Sequence, residues 1–301
     1  MPVGQRASAA KGTVCIDVRT DDGRTLVAEE WGAPDGTPVL LHHGTPGSRL
    51  GTALHDVTER HPQVRLFAYD RPGYGDSDRR EGRRVADAAR DAAAVADALG
   101  IGTFAVVGRS GGAPHALACA ALLPERVTAA AALVSPAPRD ADGLSWFAGM
   151  TPMNVDQYTL ATTDPAALER LLTALADEIR PDPVRLLDQL RGALSKADEP
   201  VLADERVRAV LLANYREGLR VSAYGWFDDT VALATPWGFD PAVIERRVLL
   251  WHGAEDVFSP VGHFHWLAGR IPRCTAVLQP GAGHFTAQYA LGRALEWLRE
   301  G

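Results

Sequence analysis

A glycine-rich turn at residues 108–112 constrains the fold of this chain more than any other stretch. Its sequence, Gly-Arg-Ser-Gly-Gly, follows an apolar run at residues 103–107 and precedes an alanine-rich run at residues 113–123. These runs predict a buried strand before the turn and a helix after it. A G-x-S-x-G pattern between a strand and a helix is typical of a nucleophile elbow, a tight turn that lifts the serine out of the sheet. The sequence therefore predicts that Ser110 presents its hydroxyl at the end of a strand.

Apolar runs separated by turn residues recur along most of the chain. The runs that predict strands lie at residues 13–18, 25–31, 38–42, 64–69, 103–107, 127–134, 247–251 and 275–278. Helical patterns alternate with the later runs, as at residues 83–99, where apolar residues recur at helical spacing. This alternation predicts an α/β fold with a mostly parallel, doubly wound sheet. Such sheets bind ligands at the carboxyl ends of their strands.

The middle of the chain has a different pattern. No clear strand pattern is found between residues 137 and 238, and helices are predicted at residues 164–180, 182–194, 200–216 and 219–234. We therefore expect an all-helical cap at residues 137–238, inserted after the sixth predicted strand. The core then comprises residues 13–136 and 239–301. The small and polar residues 1–12 are expected to be disordered.

The composition limits the classes of partner. The 301-residue chain has a formal charge of −7 and a pI near 5.7, which argues against nucleic acids and anionic membrane surfaces. Its three cysteines are scattered, which fits reduced thiols better than disulfides or a zinc site. We find no secretory signal and no apolar run long enough to span a bilayer. We expect a cytoplasmic monomer or homodimer that acts on a small-molecule substrate without a metal or cofactor.

Candidate partners for Ser110 follow two later strands. A serine hydroxyl needs a base to take its proton and an acid to orient that base, and in such a sheet their order along the chain is serine, acid, histidine. His284 lies in a glycine-rich loop after the last predicted strand, and Asp256 follows the strand at residues 247–251. Glu255 is an alternative acid. The developing oxyanion needs N–H donors, for which the backbone amides of Gly111 and Thr45 are the candidates.

Four loops together resemble those of the α/β-hydrolase superfamily. They are His-Gly-Thr-Pro-Gly-Ser at residues 43–48, D-x-x-G-x-G-x-S at residues 70–77, the acid loop at residues 250–256 and Gly-His-Phe at residues 283–285. The resemblance covers nearly the whole chain, and the helical insertion matches the cap of that family. It implies a catalytic triad of Ser110, His284 and Asp256, with the oxyanion hole described above.

The elbow departs from the family pattern at Arg109, which replaces the His, Gly or Asp expected before the nucleophile. Arg109 is predicted to bind a substrate carboxylate or, as partly buried arginines more often do, to pair with a nearby acid. Since the cap should roof the cavity, some of its aromatic residues are expected to face the substrate. The pocket candidates are Arg109, Trp146, Phe147, Tyr224 and Phe285.

These features predict a serine hydrolase that cleaves a carboxylic ester, lactone or thioester of a small to medium apolar substrate through an acyl-enzyme. An alternative is an aminopeptidase similar to the prolyl iminopeptidases, whose oxyanion loop resembles residues 43–47. It requires an acidic amine-binding cluster in the cap, for which Asp228 and Asp229 or Asp177 and Glu178 are candidates, although helix carboxylates are usually solvent-exposed. A third interpretation is a non-hydrolytic tailoring enzyme or a ligand receptor on the same fold.

Overall fold

The computed structural model describes residues 4–6, 13–54 and 56–300, and its centre is a single nine-stranded sheet. The strands are β1 (Gly4–Arg6), β2 (Val14–Arg19), β3 (Thr25–Gly32), β4 (Thr37–His42), β5 (Val64–Tyr69), β6 (Phe104–Arg109), β7 (Val127–Leu133), β8 (Arg247–Gly253) and β9 (Cys274–Gln279). Their spatial order is β1-β2-β3-β5-β4-β6-β7-β8-β9. The six strands from β5 to β9 in that order are parallel, whereas β1, β2 and β3 pair antiparallel at one edge.

The described residues form eleven α-helices, five of which cover the two faces of the sheet. They are α1 (Val57–Arg60), α2 (Ala88–Ala98), α3 (Ala113–Leu122), α4 (Pro152–Thr163), α5 (Pro165–Ile179), α6 (Val184–Arg191), α7 (Glu199–Ala203), α8 (Glu205–Gly218), α9 (Tyr224–Ala234), α10 (Val261–Arg270) and α11 (Ala287–Arg299). On one face α2, α3 and α10 pack against residues such as Leu40 and Val106. On the other face α1 and α11 pack against Leu41 and Val107. Burial on both faces explains the continuous apolar runs of these strands and confirms the predicted fold class.

The amino-terminal part of the fold differs from the prediction. All eight predicted strands are present, and β1 is an additional one that pairs with β2, Gly4 opposite Asp17. It lies within residues 1–12, so the expectation of disorder is wrong for Gly4–Arg6, and the other residues of that range lie outside the described ones. Because β1 comes first, the helical insertion follows the seventh strand of the sheet rather than the sixth.

The segment between β7 and β8, which the structure describes completely, contains the helices α4 to α9 and no strand. These helices bury an apolar cluster of their own, which also includes Tyr74, Phe258 and Phe285 of the core. The predicted helix at residues 200–216 is divided at Asp204, whose side chain caps α8 by accepting a hydrogen bond from the amide of Arg206. The helix α4 was not predicted, because few of its residues are buried and they form no apolar stripe.

None of the described helices is both long and apolar enough to cross a membrane.

The contribution of the core beneath the elbow helix α3 to the stability of the protein can be measured with two leucines of that helix. Leu117 is fully buried, so Leu117→Ala leaves a cavity and should lower the free energy of unfolding by about 2–5 kcal/mol. Leu122 is 42% exposed in the same helix, and Leu122→Ala should cost less than about 1 kcal/mol. Urea unfolding followed by circular dichroism measures both. Equal losses would contradict the placement of Leu117 in the core.

Candidate active site

Ser110 lies on the tight turn between β6 and α3 and has a φ of 53°. This left-handed conformation is unfavourable for a residue with a side chain and persists only where the surroundings impose it. A Cβ atom at Gly108 would collide with the carbonyl of Gly112, and one at Gly112 would collide with the carbonyl of His43. The two glycines therefore let β6, α3 and the loop after β4 come close enough to hold Ser110 in this conformation.

The structure brings Ser110, His284 and Asp256 into one chain of hydrogen bonds. Nε2 of His284 lies 2.9 Å from Oγ of Ser110 and can accept its proton. Nδ1 of His284 lies 2.8 Å from Oδ2 of Asp256, to which it donates. Asp256 follows β8 and His284 follows β9, so the carboxyl ends of three parallel strands supply the three side chains.

Asp256 is held as a buried carboxylate. Its other oxygen accepts hydrogen bonds from the backbone amides of Phe258, at 2.8 Å, and Ser259, at 2.9 Å. Burial alone would raise the pKa of Asp256, but the neighbouring His284 and the hydrogen bonds outweigh it and hold that pKa below its ordinary value. Glu255, the alternative acid, is exposed at the surface, so Asp256 is the carboxylate that contacts His284.

The loop after β4 lies directly against the elbow. Thr45 and Gly111 both line the cavity beside Ser110, and a Cβ atom on Gly111 would collide with the hydroxyl of Thr45. Arg71 holds this loop by donating to the carbonyls of His43, at 2.5 Å, and Gly44, at 3.0 Å. The two residues predicted to supply the oxyanion hole are therefore neighbours of Ser110 and of each other.

Asp229 of α9 lies at the centre of a buried ionic network beneath this loop, contrary to the expectation that it is a solvent-exposed helix carboxylate. It is 0% exposed and accepts from Thr45 Oγ1 at 2.6 Å and from the Tyr74 hydroxyl at 2.8 Å. The guanidinium groups of Arg71, at 2.5 Å, and Arg83, at 2.7 Å, neutralise it. Burial would raise the pKa of Asp229, but these two cations hold it well below the ordinary value.

Asp228, the other member of that pair, is also buried. It forms a two-pronged salt bridge with Arg79, whose Nε and one terminal nitrogen each lie 2.9 Å from a carboxylate oxygen. No sequence signal marks either carboxylate as buried, because their arginine partners lie about 150 residues earlier in the chain, at positions that only the folded cap brings together.

Asp198, in the loop before α7, holds the histidine loop from the cap side. It is 0% exposed and accepts from the backbone amides of His284, at 2.9 Å, Phe285, at 2.8 Å, and Thr286, at 3.2 Å. A carboxylate that accepts three amides fixes the course of the backbone on which His284 is carried. The sequence analysis did not identify Asp198, since it lies between two cap helices and in no recognisable motif.

A cavity of about 100 Å³ lies over Ser110, between the strand ends and the cap. Its walls combine polar side chains with apolar ones, among them Met153, Leu186, Leu190, Leu211, Trp226 and Phe258. Phe285, a predicted pocket residue, is also part of the wall. A concave cavity that combines apolar walls with polar groups around one hydroxyl can hold a small molecule.

Three of the predicted pocket residues lie elsewhere. Trp146 is buried outside the cavity, where its ring packs against Phe147 and its indole N–H donates to the carbonyl of Ala137. Tyr224 begins α9 at the surface, 40% exposed, with the guanidinium of Arg79 over its ring. Trp146, Phe147 and Tyr224 therefore have structural roles outside the cavity, contrary to the prediction. The sequence indicates that such aromatic residues lie in the cap but not which side of the cap they face.

Arg109 lines the cavity, as predicted, but its expected pairing with an acid is absent. Its guanidinium donates to the carbonyl of Gly51 at 3.2 Å, and in the described part of the chain no carboxylate lies within ion-pair distance of it. Burial lowers the pKa of Arg109 to about 10, partly offset by the neighbouring Tyr215. Arg109 is thus a cation at the cavity that still carries its charge at neutral pH.

The family whose sequence model describes the alpha/beta hydrolase fold matches residues 37–287, and the chain belongs to this family. A bifunctional esterase/perhydrolase of Acinetobacter calcoaceticus is 31% identical over 247 residues, which are 81% of this chain and 83% of that protein. A non-heme chloroperoxidase of Streptomyces lividans is 37% identical over 123 residues, so that the match spans only 40% of this chain and 44% of that relative. A solved structure of a thermophilic esterase from Thermogutta terrifontis is 22% identical, with a TM-score of 0.67 over 95% of this chain and 98% of that one. The esterase/perhydrolase relative supports a hydrolase, and the solved structure supports the fold.

Replacement of the buried carboxylate beneath the oxyanion loop should destabilise the whole protein. Asp229→Asn leaves Arg71 and Arg83 without their counter-charge, and the free energy of unfolding at neutral pH should fall by about 3–5 kcal/mol. Asp177→Asn is the matched control, because Asp177 is an exposed cap carboxylate paired with Arg180 and should contribute less than about 1 kcal/mol. Chemical denaturation of the three proteins measures the difference.

The loss should depend on pH in a definite direction. Since the pKa of Asp229 is held below its ordinary value, its stabilisation is complete above the pKa of an unfolded aspartate, near 4, and is lost as the pH falls further. The gap between the wild type and Asp229→Asn should therefore narrow as the pH drops below about 4. A gap that widened in that range would contradict an ionised Asp229.

Proposed function

We propose that this protein is a serine hydrolase that cleaves a carboxylic ester, lactone or thioester through an acyl-enzyme on Ser110. The observation that carries the proposal is the chain of hydrogen bonds from Ser110 through His284 to Asp256, with distances of 2.9 Å and 2.8 Å. The left-handed turn that presents the hydroxyl and the esterase relatives support it as well.

The proposed reaction has two steps. In the first, His284 takes the proton of Ser110 while Oγ attacks the acyl carbon, and the negative oxygen is stabilised by the backbone amides of Thr45 and Gly111. His284 then gives that proton to the leaving alcohol or thiol, and the acyl group stays on Ser110. In the second, His284 removes a proton from water, the hydroxide attacks the ester, and the carboxylic acid and the free serine are released. Asp256 holds the ring orientation throughout and stabilises the imidazolium.

The apolar lining of the cavity favours an acyl compound of small to medium size. Leucine, methionine and aromatic side chains of the cap face the position where the acyl or leaving group would lie, and such walls are complementary to hydrocarbon. Tyr158, Gln157 and Thr230 add hydrogen-bonding groups to the same wall. We propose that the cap, by covering Ser110, excludes bulk water and determines which substrates enter.

The aminopeptidase alternative is disfavoured by the surroundings of the cap carboxylates. An aminopeptidase must bind a free ammonium group with acids that face the cavity. Asp228 and Asp229 are instead buried against arginines, and Asp177 and Glu178 are exposed on the outer surface. None of these four lines the cavity, and the charged arginine that does would repel an ammonium group. A receptor would make no use of the aligned Ser110 and His284.

Removal of the nucleophile tests the acyl-enzyme. Ser110→Ala should lower kcat on an ester substrate by about 10⁴-fold or more, because the remaining groups stabilise charge but form no covalent intermediate. A serine-reactive phosphonate should label the wild type at Ser110, as read by mass spectrometry of the digested protein, and should not label the variant. A variant that still turned over esters at the wild-type rate would exclude the proposal.

The pH profile tests His284 as the base. Only the neutral imidazole accepts the Ser110 proton, so kcat/KM should fall as the pH is lowered from about 8 to about 5. The lowered pKa of Asp256 keeps that carboxylate charged over this range, so its own titration should not add to the fall. Initial rates on one p-nitrophenyl ester in buffers of constant ionic strength measure the profile. A flat profile would argue against His284 as the base.

The cytoplasmic location, the monomeric or homodimeric state and the absence of a cofactor stay predictions from the sequence.

A further inference from the structure

The unpaired guanidinium of Arg109 is the feature of the cavity that the proposed reaction does not use. The three most deeply buried arginines of the described residues each meet a carboxylate: Arg71 and Arg83 meet Asp229, and Arg24 meets Asp91 at 2.7 Å. Arg109 has no such partner among the described residues and donates only to one backbone carbonyl. A single carbonyl satisfies one of the five N–H groups that an arginine carries.

The charge of the cavity wall is one-sided. No aspartate or glutamate is among the residues that line it, and Arg109 is its one permanently charged member. The cap residue Tyr215 lies close enough to Arg109 for the two groups to interact electrostatically, and it lines the same cavity. A cation in a cavity roofed by the cap attracts an anion more strongly than it would in bulk water, because fewer water dipoles screen it.

Arg109 is also adjacent to the reacting group in sequence. It is the last residue of β6, Ser110 follows it directly, and both line the same cavity, so one bound molecule can contact Arg109 while Ser110 attacks its carbonyl. The acyl part of the substrate stays on Ser110 through both steps of the proposed reaction, whereas the leaving group departs after the first. An interaction with the acyl part would therefore act in both steps.

We propose that Arg109 binds a carboxylate on the acyl part of the substrate, so that the preferred substrates are half-esters of dicarboxylic acids. One guanidinium matches one carboxylate in charge and can bind it through two parallel hydrogen bonds. The burial that lowers the pKa of Arg109 is the environment in which such an ion pair gains most. This inference rests on the proposed ester hydrolysis, and it names the substrate class of that site.

The test compares charged and neutral substrates of equal length. Ethyl half-esters of a graded series of dicarboxylic acids are assayed by titration of the released acid, against ethyl esters of the corresponding monocarboxylic acids. The wild type should prefer the half-ester at one chain length. In Arg109→Met the ratio of kcat/KM for the half-ester to that for the neutral ester should fall by about 10- to 100-fold, the worth of one charged hydrogen-bonded contact. Arg109→Lys keeps the charge without the planar fork and should retain part of the ratio.

A matched control separates binding from a general effect of arginine removal. Arg126 is partly buried and donates to the backbone carbonyls of Gly102 and Ile101, but it is not part of the cavity wall. Arg126→Met should leave the substrate ratio at the wild-type value. A ratio that is unchanged in Arg109→Met, or a loss that is equal for both substrates, would mean that Arg109 only braces Gly51, and it would overturn the inference.

A binding measurement distinguishes failure of this inference from failure of the proposed function. Calorimetric titration of Ser110→Ala with each dicarboxylic acid of the series needs no turnover. Tighter binding of one dicarboxylate than of the monocarboxylate of equal length, lost in the Ser110→Ala, Arg109→Met double variant, supports the anion site even if no ester is hydrolysed. Equal binding of the two acids overturns it, even if phosphonate labelling and ester hydrolysis at Ser110 succeed.

Discussion

The close backbone contact at the nucleophile turn is the constraint on which the rest of this structure depends. Neither Gly108 nor Gly112 has space for a Cβ atom, and between them Ser110 adopts a conformation that side chains rarely accept. The contact fixes the distance between β6 and α3 at the centre of the sheet. The loops after β4, β8 and β9 end at the same edge, so that each contributes to one site without being near the others in sequence.

Much of the fold follows from local patterns, and the exceptions have local causes. Inner strands such as β4 and β6 are buried on both faces and are therefore apolar along most of their length. Eight of the nine described strands could be predicted, and only the short edge strand Gly4–Arg6 could not. In the cap, α5 and α8 have an apolar side and were predicted nearly in place. The helix Pro152–Thr163 has little buried surface and therefore no stripe to detect.

The residues of the candidate site also fall into those that the sequence predicts and those that it does not. Ser110, Asp256 and His284 each lie in a loop whose glycines and polar residues form a local pattern, and their order along the chain made them predictable together. The supporting carboxylates Asp229 and Asp198 were not predictable, because their burial depends on groups that are far away in sequence: Arg71 and Arg83 for one, the amides of residues 284–286 for the other. The residues that line the cavity could not be predicted for a related reason. Periodicity indicates which side of a helix is apolar but not what that side faces.

The hydrogen bonds between Asp198 and the histidine loop have a consequence for how such a protein can evolve. Here a cap residue accepts the backbone amides of His284, Phe285 and Thr286, so the core's own base is partly held by the inserted segment. A cap from another protein that lacked a carboxylate at this point would change the pocket and would also leave the backbone of His284 less firmly held. The cap and the histidine loop are therefore expected to change together in evolution, although about 90 residues of sequence separate them.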